Sequence, residues 1–111
     1  MKLNYKDIAL SYLVNFNGGE KELAANIYND GQVKILTRAV LIPGASIGLH
    51  CHTDSLEVIL ILSGTGKMIC NNIEERLNPM DIHYCKKGEC HTLINDSNED
   101  LVFFAVIPKV N

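Results

Sequence analysis

From Gln32 onward the chain is cut into short apolar segments, each closed by glycine, asparagine or proline, and this rhythm limits the fold more than any other feature. Residues 33–42 are rich in β-branched side chains and stop at Pro43-Gly44. Further segments follow at 47–52, 57–62, 67–70, 73–77, 82–85, 91–94 and 101–107. Ser63-Gly64-Thr65-Gly66, Asn71-Asn72, Asn78-Pro79 and Lys86-Lys87-Gly88-Glu89 separate several of them, and 95–100 is a polar loop. Runs this short do not sustain amphipathic helices, and their composition is that of strands. Eight or nine strands at near-regular spacing predict an all-β, antiparallel double-sheet sandwich or barrel.

Before Gln32 the pattern is mixed. Leu10, Tyr12 and Val14 alternate like a short strand, and Asn17-Gly18-Gly19 ends it as a turn. Residues 20–28 read less clearly: Glu-Lys-Glu-Leu-Ala-Ala has helix propensity, and Leu23 and Ile27 stand four apart, so one or two helical turns are expected there. Asn29-Asp30-Gly31 is a turn, since Asp-Gly readily supplies a positive φ. The 111 residues fit one domain, with residues 1–31 as an N-terminal arm and 32–107 as the barrel core.

The chemistry concentrates in residues 44–64. Alternate side chains of a strand share a face, so His50 and His52 project together while Cys51 turns away. Thr53-Asp54-Ser55 reads as a turn, after which Glu57 opens the next strand beside the imidazole pair. Two imidazoles and a carboxylate meeting at one point are ligands for a first-row metal, and His91 is a fourth candidate. Ser46 and Gly48 share the parity of His50, and Ile59 and Ile61 that of Glu57, which makes all four candidate pocket walls. His83 reads as a hydrogen-bonded core residue, with a pocket-facing proton shuttle as the alternative.

Charge and hydropathy exclude several classes. A formal charge of -3 argues against a nucleic-acid partner, which requires a basic face. The longest apolar run, 101–107, is far short of the ~20 residues of a membrane helix. The N-terminus Met1-Lys-Leu-Asn-Tyr-Lys-Asp has no apolar core of a secretory signal, so a cytoplasmic location is expected. In that compartment Cys51, Cys70, Cys85 and Cys90 are expected as free thiols. A structural zinc site pooling Cys85, Cys90 and His91 with His50 and His52 fits poorly, because no Cys-x2-Cys pair is present. Lys86 and Lys87 read as a solvated turn.

These residues resemble the signatures of the cupin superfamily. The first, G-x5-H-x-H-x4-E-x6-G, is filled by Gly44, His50, His52, Glu57 and Gly64. The second is matched at Gly88, His91 and Asn95, while Met80 and Lys86 stand where the family usually has Gly and Pro. Within the superfamily the chain is most similar to small, mannose-6-phosphate-isomerase-like members. The resemblance implies a jelly-roll barrel in which His50, His52, Glu57 and His91 meet on one metal ion. Three imidazole nitrogens and a carboxylate oxygen suit Mn(II), Fe(II), Ni(II), Co(II) or Zn(II), and disfavour Mg and Ca. The function expected is a metal-dependent isomerase, lyase or dioxygenase acting on a small polar metabolite. The alternative is a non-catalytic metal or small-ligand binding module. Small cupins usually pair as homodimers, and the apolar residues of the arm (Leu3, Ile8, Leu10, Tyr12, Val14, Phe16) would pack on a partner's sheet.

Overall fold

A computed structural model describes residues 1–110. The chain forms strands β1 (Leu10–Val14), β2 (Glu22–Asn29), β3 (Val33–Leu41), β4 (Ser46–Cys51) and β5 (Glu57–Ser63). It continues through β6 (Gly66–Cys70), β7 (Ile73–Leu77), β8 (Ile82–Cys85), β9 (Cys90–Ile94) and β10 (Leu101–Pro108). Six strands pair in the order β1-β2-β3-β10-β5-β8 and four in the order β4-β9-β6-β7. Every pairing is antiparallel, as the short alternating segments require. Leu23, Leu41, Ile59, Ile61 and Phe103 from one sheet and Ile47, Met68 and Leu93 from the other bury their side chains in a common core. The result is the double-sheet jelly roll. Among the described residues, no helix is long and apolar enough to cross a membrane.

Residues 20–28 do not form helical turns: β2 occupies them. Leu23 and Ala25 are fully buried with the half-buried Ala24 between them, a period of two rather than 3.6. The strand is hydrogen-bonded on both sides, to β1 and β3, and this pairing outweighs the modest helix preference of Glu-Leu-Ala-Ala.

A bulge in β4 changes which residues reach the interior. Ile47 pairs with Leu93 and His50 with His91, so three steps along β4 match two along β9. Simple alternation is therefore broken, and Ile47, not Ser46, shares the cavity with His50. Ser46 instead accepts a hydrogen bond from the Glu20 amide at 2.8 Å. Gly48 lies against the carbonyl of Asn17, where a Cβ would collide. Of the four wall candidates, only Ile59 lines the cavity. Ile61 lies deeper in the core.

Asn95 ties the loop before β10 to the end of β3. Its Nδ2 donates to the carbonyls of Leu41 and Glu99, both at 2.7 Å, and its Oδ1 accepts from the Ser97 amide and hydroxyl. Met80, standing where glycine is usual, keeps the left-handed conformation that glycine would favour (φ 72°). Lys86 and Lys87 are exposed, as a solvated turn should be.

Candidate metal centre

The register of three strands brings His50, His52, Glu57 and His91 to one point. His50 lies directly opposite His91 across the β4–β9 pair. His52 stands just beyond β4, and Glu57 is the first residue of β5. Glu57 Oε1 is 3.0 Å from His52 Nε2, 2.9 Å from His91 Nε2 and 3.9 Å from His50 Nε2. His91 Nε2 is in turn 3.1 Å from the Nε2 atoms of both His50 and His52. His52, Glu57 and His91 are buried, and His50 is half-buried on the open side.

Each imidazole is oriented by what its other nitrogen meets. His50 Nδ1 donates to the Gly48 carbonyl at 2.8 Å, which requires a proton on Nδ1 and leaves the Nε2 lone pair facing the centre. His52 Nδ1 lies 2.9 Å from Ser55 Oγ, and His91 Nδ1 lies 3.0 Å from His83 Nε2. Three outer partners thus hold three Nε2 atoms inward, the usual arrangement around a metal-ligating histidine. Three inward nitrogens and a carboxylate oxygen within 4.8 Å of one another could hold a metal ion. Protons alone serve them poorly, because His91 Nε2 faces three neighbours and has at most one hydrogen to share. The residues fit the ion.

The electrostatics agree. Burial pushes the Glu57 carboxyl up, but the surrounding imidazoles of His50, His52 and His91 hold it well below the usual carboxylate range. Burial pushes His50 down, yet Glu57 and the Gly48 carbonyl more than offset it, and its pKa is raised. His83 is lowered, by burial first and by the neighbouring His91 second.

A cavity of about 710 Å³ opens above the quartet. Leu13, Phe16, Ile27, Leu36 and Ile107 supply apolar wall, while Lys34, Lys109, Asp54 and Gln32 are among its polar groups. The spacing in the sequence had marked the four central side chains, but not Ser55, the Gly48 carbonyl or the Lys34 wall. Ser55 had a local signal, three residues after His52 in the turn that returns the chain to Glu57. Lys34 had none, because it arrives from β3. His83 is a buried hydrogen-bonded residue, as expected. It stands behind His91 and is not among the side chains lining the cavity.

The cysteines divide. Cys51 and Cys90 face each other across β4 and β9 with Cα atoms 4.0 Å apart and form a disulfide, which corrects the expectation of four free thiols. The physical reason is register: both side chains leave the sheet on the face opposite the neighbouring ligands, directly across from one another. Cys70 and Cys85 are free. No zinc site pooling Cys90 with the histidines forms, since its sulfur is engaged in the bridge.

Known proteins share the family and the fold. The family model described as a cupin domain matches residues 37–107. An oxalate-binding protein of Thermotoga maritima is 31% identical over 112 residues, spanning 96% of this chain and 93% of its own. A crystal structure from the same organism, reported as a predicted oxalate decarboxylase, has a TM-score of 0.88 at 28% identity and covers 99% of this chain and 100% of that one. A sugar phosphate isomerase of Silicibacter pomeroyi shares the fold, with a TM-score of 0.77 at 18% identity over 99% of this chain and 76% of its own. The chain belongs to the cupin family.

Proposed function

We propose that the chain is a metal-dependent enzyme that takes a small chelating anion, of the oxalate or keto-acid class, onto an ion held by His50, His52, Glu57 and His91. The observation that carries this reading is the placement of those four donors in a cavity that Lys34 also lines. Lys34 lies close enough that its charge acts on His50, so an anion entering the cavity meets a cation on its way to the quartet. The apolar walls leave that charge poorly screened. The oxalate-binding relative supports the same ligand class.

An ion of the Mn, Fe, Ni, Co or Zn type would act there as a Lewis acid toward a carboxylate or carbonyl, chemistry common to isomerases, lyases and dioxygenases. The chain's own part is to orient three imidazoles, to exclude water with Leu13, Phe16 and Ile27, and to place Lys34 against the anion.

A second reading, a non-catalytic binding module, is favoured by the wall itself: beyond the quartet, Lys34, Lys109 and Asp54 are the ionisable groups among its described lining residues. One experiment separates the two. The protein is loaded with Mn(II), Ni(II) or Zn(II), titrated with oxalate by calorimetry, then screened for turnover and oxygen uptake. Metal-dependent turnover supports the enzyme, and tight binding without turnover supports the module. Absence of any metal-dependent binding refutes both.

The homodimer belongs to the same proposal. β1 is an edge strand whose Leu10, Tyr12 and Val14 are 46%, 60% and 68% exposed, an apolar face that a second copy would cover. So does a cytoplasmic setting, which requires that glutathione open inside the cell the Cys51–Cys90 bridge seen in the structure. Alkylation of thiols in freshly lysed cells tests that location.

A further inference from the structure

We propose that Cys70, His83 and Cys85 form a second metal site, for one thiophilic cation of the Zn(II) or Cu(I) class, back to back with the quartet. The residues reach it from two sheets. Cys70 ends β6 in the four-stranded sheet, and His83 and Cys85 stand two apart on β8, the edge of the six-stranded one. Strand alternation sends both β8 side chains inward, while their neighbours Ile82 and Tyr84 are 65% and 50% exposed. Register does the rest: Cys85 lies opposite Glu57, and Cys70 opposite His91.

The donor atoms of the three residues all lie within 4.8 Å of one another. A tetrahedral ion with sulfur ligands at about 2.3 Å and nitrogen at about 2.0–2.1 Å needs them about 3.5–3.8 Å apart, an adjustment small rotamer changes can make. Two thiolates and one imidazole form a softer donor set than the nitrogen and oxygen atoms of the quartet, so the two centres select different ions. Cys85 and His83 are buried, and Cys70 is half-buried, which leaves an approach from its side. The carboxylates of Glu75 and Glu89 act on Cys70 electrostatically, a field that favours a cation. Loading would release one proton from each thiol.

Cobalt distinguishes this site from the quartet, because thiolate-to-cobalt charge transfer in the near ultraviolet needs a sulfur ligand. The full chain, with Cys51–Cys90 intact, is titrated with Co(II) without oxygen. The band is expected in the wild type and in the His50→Ala/His52→Ala variant, and is expected to be lost in Cys70→Ser and in Cys85→Ser. Cys70 is half-buried, so Cys70→Ser remains a test even where Cys85→Ser does not fold. A wild type with free thiols at both positions and no band overturns the proposal. So does a band that survives both serine variants, or a Cys70–Cys85 disulfide whose reduction restores no cobalt binding. Failure of the quartet would show separately, as absent Mn(II) binding beside an unchanged cobalt band.

Discussion

His83 Nε2 lies 3.0 Å from His91 Nδ1, the two rings stacked with centroids 5.2 Å apart and planes 27° from parallel. Burial lowers the His83 pKa, which keeps that ring neutral and able to accept a proton from its neighbour. An accepting His83 holds the proton on His91 Nδ1 and turns the His91 Nε2 lone pair toward Glu57. Replacing His83 with alanine should therefore weaken Mn(II) binding by about 10–100-fold, the usual effect of losing a ligand's outer partner. His83→Gln, which can still accept, should recover part of it. Chelator competition measures both, and Mn(II) avoids interference from thiolates.

Lys34 lines the cavity, and its charge acts on His50. Lys34→Ala should weaken oxalate binding by about tenfold, the loss of one charge-assisted contact worth about 1.5 kcal/mol. Mn(II) affinity without oxalate should hold or rise slightly, since the Lys34 charge disfavours a second cation. Calorimetry with and without the anion reads the difference.

The Cys51–Cys90 bridge closes a loop with a sequence separation of 39. Opening it frees the denatured chain more than the folded one, at a cost of about 2–4 kcal/mol. Cys51→Ser/Cys90→Ser should show that loss in denaturant melts. Wild type melted in a phosphine reductant should match the variant.

Arg76 holds Asp96 through two hydrogen bonds of 2.6 Å, joining β7 to the loop before β10. The Arg76 hydrogen bonds hold the Asp96 carboxyl below its ordinary 3.8. A depressed carboxyl stabilises the fold above its unfolded pKa and loses that contribution as pH falls through the folded value. Both groups are substantially exposed, so Asp96→Asn should cost no more than about 1 kcal/mol at neutral pH. The difference from wild type should vanish in acid melts below the folded pKa.

Tyr12 and Val14 should report the proposed dimer. Tyr12→Lys/Val14→Lys places charge on the exposed face of β1 without touching Leu13 or Phe16 on the cavity side. Light scattering should find a monomer with unchanged circular dichroism. A dimer that survives the double substitution moves the interface elsewhere.

Wherever the signal was local, the chain declared itself. β1 and β3 to β10 lie where alternation and turn residues put them; His50, His52 and Glu57 meet as their spacing suggested, and His91 joins them as the cupin resemblance implied. The exceptions each depended on a distant partner. Glu22–Asn29 became a strand because β1 and β3 flank it, and Ile47 displaced Ser46 from the cavity because β9 paired with β4 through a bulge.

By itself, then, the order of residues settled most of the strands and turns and placed His50, His52 and Glu57 near one another, because side-chain period and turn geometry act over a few residues. Which cysteines bond, what stands behind His91 and what charge faces an incoming anion were left to strand register. Register is a property of pairs: one added residue in β4 redirects side chains, and the partner strand that decides it lies some forty residues away.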